Sequence, residues 1–350
     1  MESKTRESKR DIHRGDRIFV AILRGFAFLV VATFLSIGLF LFWGALPAIK
    51  AFGLEFIYSS VWDPVSETFG ALPVIFGTLC SSFLALLFGV PISIGIALFL
   101  NELLPRNLSA LFGFFVDMLA AIPSVVYGLW GVFVLAPFLR DHVEPFLGQY
   151  LGFLPFFSGT PYGVGMLAAG VILGIMIIPT ISSICKEIYK TIPRFQREAA
   201  MALGASRWET MRLSVLRSSR SGIYGASFLG LGRALGETMA VTMVIGNRAE
   251  ISVSLFAPSQ TMASVIANEY VEAGSDVHLS ALIEVGLLLF LISAFKSTIS
   301  VTDLTNESPI HSTLLSNAKS RSFKSFSVKQ GNDTFVFGRL TPFFEDKVPP

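Results

Sequence analysis

The chain has 350 residues, of which 52% are hydrophobic and 15% charged, whereas soluble domains carry about a quarter charged residues. A formal net charge of +2 supplies no global basic field and argues against a nucleic-acid partner held by bulk charge. The two cysteines, Cys80 and Cys185, both lie in apolar stretches; they are expected to be small buried hydrophobes and are too few to frame a metal site.

Residues 1–24 are a basic segment ahead of an apolar run. That run exceeds the ~7–15 residues of a signal-peptide core, which predicts a retained first helix. Charges elsewhere are segregated, leaving uncharged runs such as Gly25–Ile49 and Thr68–Asn101. About 20 apolar residues cross a bilayer as a helix, because lipid satisfies no backbone hydrogen bonds and the helix satisfies its own. Six spans account for the pattern, near Phe26–Ile49, Ala71–Leu100, Leu111–Leu139, Gly163–Cys185, Ser221–Gly246 and Leu279–Ser300. The fold class is therefore all-α, a polytopic membrane bundle of about six transmembrane helices over residues 25–300. Lys296 interrupts the sixth span and is expected to snorkel to the headgroups. Residues 301–350 hold Ser, Lys and Phe without a periodic core and are expected to form a largely disordered tail.

Lysine and arginine set the orientation. The N-terminal segment carries Lys4, Arg6, Lys9, Arg10, Arg14, Arg17 and Arg24, and the loop between spans four and five runs from Lys186 to Arg220 with six further basic residues between them. The alternate loops hold Lys50, Arg140 and Arg248 amid acidic residues such as Glu55, Asp63, Glu67, Glu269 and Glu272. Both termini and the long basic loop are expected on the cytoplasmic side. The chain has no Gly-rich loop ending in Gly-Lys-Ser/Thr, no Gly-x-Ser-x-Gly elbow and no His-Glu-x-x-His. His13, His142, His278 and His311 fall in polar regions and are expected to be solvated surface residues. No catalytic residue and no metal ligand is assigned.

Within the basic loop, Pro193 suits a helix start. Glu198, Ala199 and Ala200 continue that helix, and Gly204 fits its stop before a second short helix. The residues admit two readings: an ordinary amphipathic surface helix, or a face without bulk on which another protein packs. Glu198-Ala-Ala followed by Gly204 resembles the EAA loop of ABC-importer permeases. The resemblance implies that Glu198, Ala199, Ala200 and Gly204, within a loop of about 191–216, contact a separate ATPase. Family members usually carry Leu-Pro near the end of this loop; Leu216-Arg217 stands here, which leaves the path back into span five open.

Span five reads Gly230-Leu-Gly-Arg-Ala-Leu-Gly-Glu-Thr. Arg233 and Glu237 are four apart, so on a continuous helix they share a face and can pair. Charges inside a span are costly and normally face a polar route; a purely structural ion pair is the competing reading. Gly232 and Gly236 have the small-xxx-small spacing that permits close helix contact. The segment resembles the signature of phosphate ABC permeases, and by that resemblance Arg233 meets the anion and Glu237 holds or gates it. Ala121-Ile-Pro-Ser-Val-Val-Tyr-Gly-Leu-Trp-Gly is similar to another motif of that family, with Pro123 breaking or kinking the helix and Ser124 or water serving the freed backbone groups. Ser254–Glu269 resembles the external loop where a soluble binding protein docks. Asp117 and Glu284 are expected to snorkel or pair locally.

The match runs over residues 15–295 and is nearest the PstC type of phosphate permease. It implies a type I ABC-importer permease fold in the bacterial inner membrane. It also implies a second permease of PstA type, two ATP-binding subunits of PstB type and an external phosphate-binding protein of PstS type. The chain itself would bind no cofactor, ATP and Mg belonging to the partners. An importer of another oxyanion, sulfate or molybdate, is the nearest alternative, and an ion-gradient secondary transporter a more distant one, since no internal repeat is visible.

Overall fold

A computed structural model describes residues 2–306, 327–330 and 333–336. Contacts divide the chain into two units, Met1–Ser300 and Val301–Pro350.

The first unit begins with α1 (Glu2–Phe52), whose segment Ile18–Phe52 is long and apolar enough to cross a bilayer. A short α2 (Glu55–Tyr58) and an antiparallel pair, β1 (Trp62–Asp63) with β2 (Thr68–Phe69), precede α3 (Leu72–Leu98), which continues as a π-turn through Leu103. Next comes α4 (Arg106–Ala121). The helices α5 (Ser124–Trp130), α6 (Ala136–Phe138) and α7 (Glu144–Leu151) are joined by two π-turns into one apolar rod, Ser124–Leu151. A central α8 (Met166–Thr191) leads to α9 (Arg194–Ala202), α10 (Arg207–Thr210) and a π-turn at Met211–Leu216. Then follow α11 (Arg220–Gly236), α12 (Met239–Val244), α13 (Met262–Glu269) and α14 (Asp276–Asn306).

Among the described residues, five helical stretches are long and apolar enough to span: Ile18–Phe52, Leu72–Leu103, Ser124–Leu151, Met166–Thr191 and Asp276–Lys296. Two of the expected spans are corrected. The third does not run unbroken over Leu111–Leu139, because Ile122 and Pro123 are extended and separate α4 from α5. Pro123 lacks an N–H, and its ring disfavours a helical conformation for Ile122. The fifth is likewise two pieces, broken at Glu237 and Thr238.

The core is built on α8. Two thirds (67%) of its most apolar window is buried, against 0% for α1. Small residues let α3 lie close against it: a methyl added at Gly89 would stand 2.7 Å from Ile177 Cδ1, and one at Gly170 2.6 Å from Leu84 Cβ. Close backbone approach is the main source of helix adhesion in lipid, where apolar side chains gain little by leaving the solvent. On α11, Gly222, Ala226, Gly230 and Ala234 recur every fourth residue. The two glycines press on Ile188 and Ile181 of α8, while Ala226 and Ala234 are buried. The expected contact stripe of Gly232 and Gly236 is thus displaced: Gly232 faces Lys296 Nζ, and nothing lies within 4 Å of a methyl at Gly236.

A second cluster gathers Ala48, Phe56, Phe69, Val74, Met262, Val265 and Leu282 at the end away from the basic loop. In the second unit, β3 (Ser327–Gln330) pairs antiparallel with β4 (Asp333–Val336). The rest of the tail beyond Asn306, expected to be disordered, lies outside the described residues.

Candidate functional site

Two broken helices meet beside α8. At the first break, the Tyr127 hydroxyl donates to the Leu119 carbonyl at 2.8 Å, serving a carbonyl that the end of α4 cannot satisfy by itself. The sequence suggested Ser124 or water for that task; Tyr127, one turn further on, performs it. At the second break, Glu237 is extended (φ −74°, ψ 126°). Its Oε1 accepts from the Ala240 N–H at 3.4 Å, in the manner of a helix cap. The two breaks are held together by glycine seats. A methyl at Gly128 would lie 2.6 Å from Met243 Sδ and 3.1 Å from Ala240 Cα, and one at Gly131 would lie 2.6 Å from Val244 Cγ1. So α12 rests on α5 through the glycines of the Tyr-Gly-Leu-Trp-Gly motif.

Arg233 lies in the last turn of α11, half-buried. Its Nη1 donates to Thr180 Oγ1 on α8 at 3.3 Å. The expected Arg233–Glu237 pair does not form, and among the described residues no ion pair joins them. The reason is the break itself: the helix stops at Gly236, so the one-turn spacing no longer implies a shared face. What results is a guanidinium with unused donors at the mouth of a helix break, and a carboxylate turned to the next helix.

Around Gly204 the basic loop is closed by local hydrogen bonds. The Ala205 N–H donates to Ala200 O at 3.1 Å and the Gly204 N–H to Met201 O at 3.0 Å, a Schellman stop that requires the left-handed φ of +89° at Gly204. A capping box starts α10: Glu209 N–H donates to Ser206 Oγ, and Ser206 N–H donates to Glu209 Oε2 at 2.8 Å. That backbone donor, with the Ser206 side chain, holds the Glu209 carboxyl below its usual range. Glu198, Ala199 and Gly204 are exposed and Ala200 half-buried. Around them Phe195, Met201 and Trp208 are exposed, and Leu203 is 90% exposed. Glu198, Ala199 and Gly204 are thus open to solvent, and Glu198 also lines a charged cleft with Glu102, Lys186, Lys190 and Arg197. The return to span five, left open by Leu216-Arg217, is a π-turn ending in an Arg217 N–H to Arg212 O bond of 3.2 Å.

Sequence reasoning missed three features. Arg197, counted only as a loop charge, binds Glu102 at 2.7 Å with both side chains mostly buried. His278 is not a solvated residue: it is 7% exposed, stacked on Phe69 with centroids 5.0 Å apart, and its Nε2 lies 3.0 Å from Glu269 Oε2. The Trp62 indole N–H donates to the same oxygen at 2.9 Å. Third, much of Ser254–Glu269 is interior, with Ser259, Gln260, Thr261, Met262, Val265 and Ser264 all buried. Gly77 of α3 provides the close approach, and Thr78 Oγ1 accepts from the Met262 N–H at 2.8 Å. Only the end of that stretch faces outward. Asp117 accepts from Ser183 Oγ at 3.0 Å, a local pairing as expected. Glu284 instead is 6% exposed, with Oε2 unpartnered. Cys185 is buried and Cys80 half-buried.

The sequence profile of the binding-protein-dependent transport system inner membrane component family matches residues 89–303, a stretch that contains both helix breaks and the Gly204 loop. The chain belongs to this family. Among relatives of this inner-membrane transport family, the phosphate transport system permease protein PstC of Mesorhizobium japonicum is 47% identical over 282 residues, covering 79% of this chain and 86% of its own. The protein of the same name from Haemophilus influenzae is 47% identical over 272 residues, covering 77% and 86%. A crystal structure of a bacterial alginate ABC transporter, in complex with an alginate pentasaccharide-bound periplasmic protein, contains a chain of like fold. It has a TM-score of 0.53 at 15% identity, over 83% of this chain and 94% of that one. The fold is that of a type I ABC-importer permease, and the chain is a multi-pass component of the inner membrane.

Proposed function

We propose that this chain is one of two permease subunits of an ATP-driven importer of inorganic phosphate. The observation that carries the reading is Arg233, half-buried at a helix break, with most of its donors unused. A planar fork of N–H groups suits an oxyanion, and broken helices are where transporters place their substrates. The relatives named for phosphate transport supply the substrate. Glu237, displaced from Arg233 but close in sequence, would keep the anion from being trapped. The loop at Glu198, Ala199, Ala200 and Gly204 would seat a separate ATP-binding subunit carrying ATP and Mg. The second permease, of PstA type, would complete the pathway, two PstB-type subunits would hydrolyse the nucleotide, and a PstS-type protein would deliver phosphate at the opposite end. In this arrangement residues 1–24, the basic loop and the tail face the cytoplasm.

The test is uptake of labelled phosphate by proteoliposomes holding the whole complex. Uptake should require ATP inside the compartment that bears the Gly204 loop, resist collapse of ion gradients, and be unaffected by excess sulfate or molybdate. Phosphate entry without nucleotide would overturn the reading, and inhibition by sulfate or molybdate would move it to another oxyanion.

A further inference from the structure

We propose that Arg197 and Glu102 form a latch that makes the docking loop move as one body with the helices beside Arg233. This inference rests on the reading of the chain as an ATP-driven permease. Arg197 stands in α9, immediately before Glu198, and its guanidinium reaches two other elements at once. Nη2 donates to Glu102 Oε1 at 2.7 Å, at the π-turn that ends α3. Nη2 also donates to Tyr189 O at 3.0 Å, and Nη1 donates to Ile192 O at 3.0 Å. Those carbonyls belong to the C-terminal end of α8, where a helix leaves acceptors unfilled and welcomes a cation. The pair is 17% and 14% exposed, so water competes weakly for it, and Asn101 Nδ2 donates to the same Glu102 oxygen at 2.8 Å. Lysine lacks the fork that serves several acceptors at once.

The other side of the loop is tied as well, since Ser214 Oγ donates to Gln196 O at 3.2 Å. From Tyr189, α8 runs ~14 Å back to Thr180 at about 1.5 Å per residue. Thr180 is the residue that accepts the hydrogen bond from Arg233. A displacement of α9 thus reaches the anion site through one guanidinium, one helix and one hydroxyl. Arg197 is a positioning residue: it touches neither phosphate nor nucleotide.

The measurement is phosphate imported per ATP hydrolysed, with Glu102→Gln, Arg197→Gln, their double variant and Arg197→Lys in the full complex. Each Gln variant should assemble and hydrolyse ATP, yet import about tenfold less phosphate per ATP, as expected for a lost charge-assisted hydrogen bond. The double variant should be no worse than either single one, and Arg197→Lys should recover part of the ratio. An unchanged ratio in complexes that assemble overturns the latch. Should the Gln variants not assemble, Glu102→Cys with Arg197→Cys, made without the native cysteines, is joined by a short bis-maleimide. Joined complexes should import normally, and abolished import on joining overturns the proposal. If the unaltered complex carries no phosphate with ATP, the parent reading has failed; if it does and the variants match it, only the latch has.

Discussion

A guanidinium offers five N–H donors, and Arg233 uses one of them on Thr180. Replacing it with Gln removes the charge and most of the fork. The Arg233→Gln variant is therefore expected to lower initial phosphate uptake about thirtyfold, the equivalent of ~2 kcal/mol of charge-assisted hydrogen bonding. Arg233→Lys should lie between, because an ammonium keeps the charge and loses the geometry. Glu237 poses a different question, since its carboxylate caps α12 through the Ala240 N–H. Gln retains that acceptor, so Glu237→Gln should leave thermal stability unchanged. A fall in its uptake rate would then report the charge alone, and normal uptake would remove the gating role. Sequence singled out both residues as candidates and paired them, and the structure separates them. The one-turn spacing rule assumes an unbroken helix, and nothing in Gly-Arg-Ala-Leu-Gly-Glu-Thr announces that the hydrogen-bond ladder stops after Gly236.

At the scale of elements, the glycines at the α5–α12 contact leave no room for a side chain. A side chain at Gly131 meets Val244 at 2.6 Å, and overpacking of that kind costs about 1–3 kcal/mol. Gly131→Val should lower the melting temperature of the purified complex and separate α12 from α5. Gly204 makes the opposite demand. Space around it is open, but its φ of +89° strains any side chain. Comparing Gly204→Asn with Gly204→Asp holds the strain nearly constant and changes only the charge. If the loop seats an ATP-binding subunit as proposed, uptake is expected to fall about tenfold further with Asp, as an unpaired carboxylate is pressed into the contact beside Leu203. The long apolar helices were legible from hydropathy, the short helices of the basic loop from Pro193 and Gly204, and Pro123 marked its own break. The burial of Ser254–Glu269 was not legible, because its polar residues, Ser259, Gln260, Thr261 and Ser264, look like loop until Thr78 and Gly77 are seen to receive them.

The whole molecule has two chemically distinct ends, and their sidedness can be measured directly. Val65, 93% exposed beside the β1–β2 turn, and Leu203, 90% exposed beside Gly204, lie far from the native thiols in accessibility. With Cys80 replaced by Ala, Val65→Cys should react with an impermeant maleimide in intact cells, and Leu203→Cys only after the membrane is opened. The reverse pattern would invert the topology argued from lysine and arginine. That argument survives the altered span boundaries because it counts charges in loops, whereas helix limits depend on breaks that hydropathy averages away. The same contrast explains why the latch was invisible: Glu102 and Arg197 are remote in sequence, and only the fold makes them neighbours.

Trp62 gives the molecule a built-in optical probe. Its indole N–H is pinned to Glu269, with the His278 ring 6.5 Å away and Phe69 edge-on at 5.0 Å. An indole fixed among a carboxylate and an imidazole emits light whose colour and intensity follow small shifts in that triad. Trp208 stands exposed at the opposite end. Two versions, each retaining one of these chromophores with the other tryptophans replaced by Phe, would let arrival of a delivery protein and arrival of an ATPase be timed by fluorescence one at a time, each in its own version.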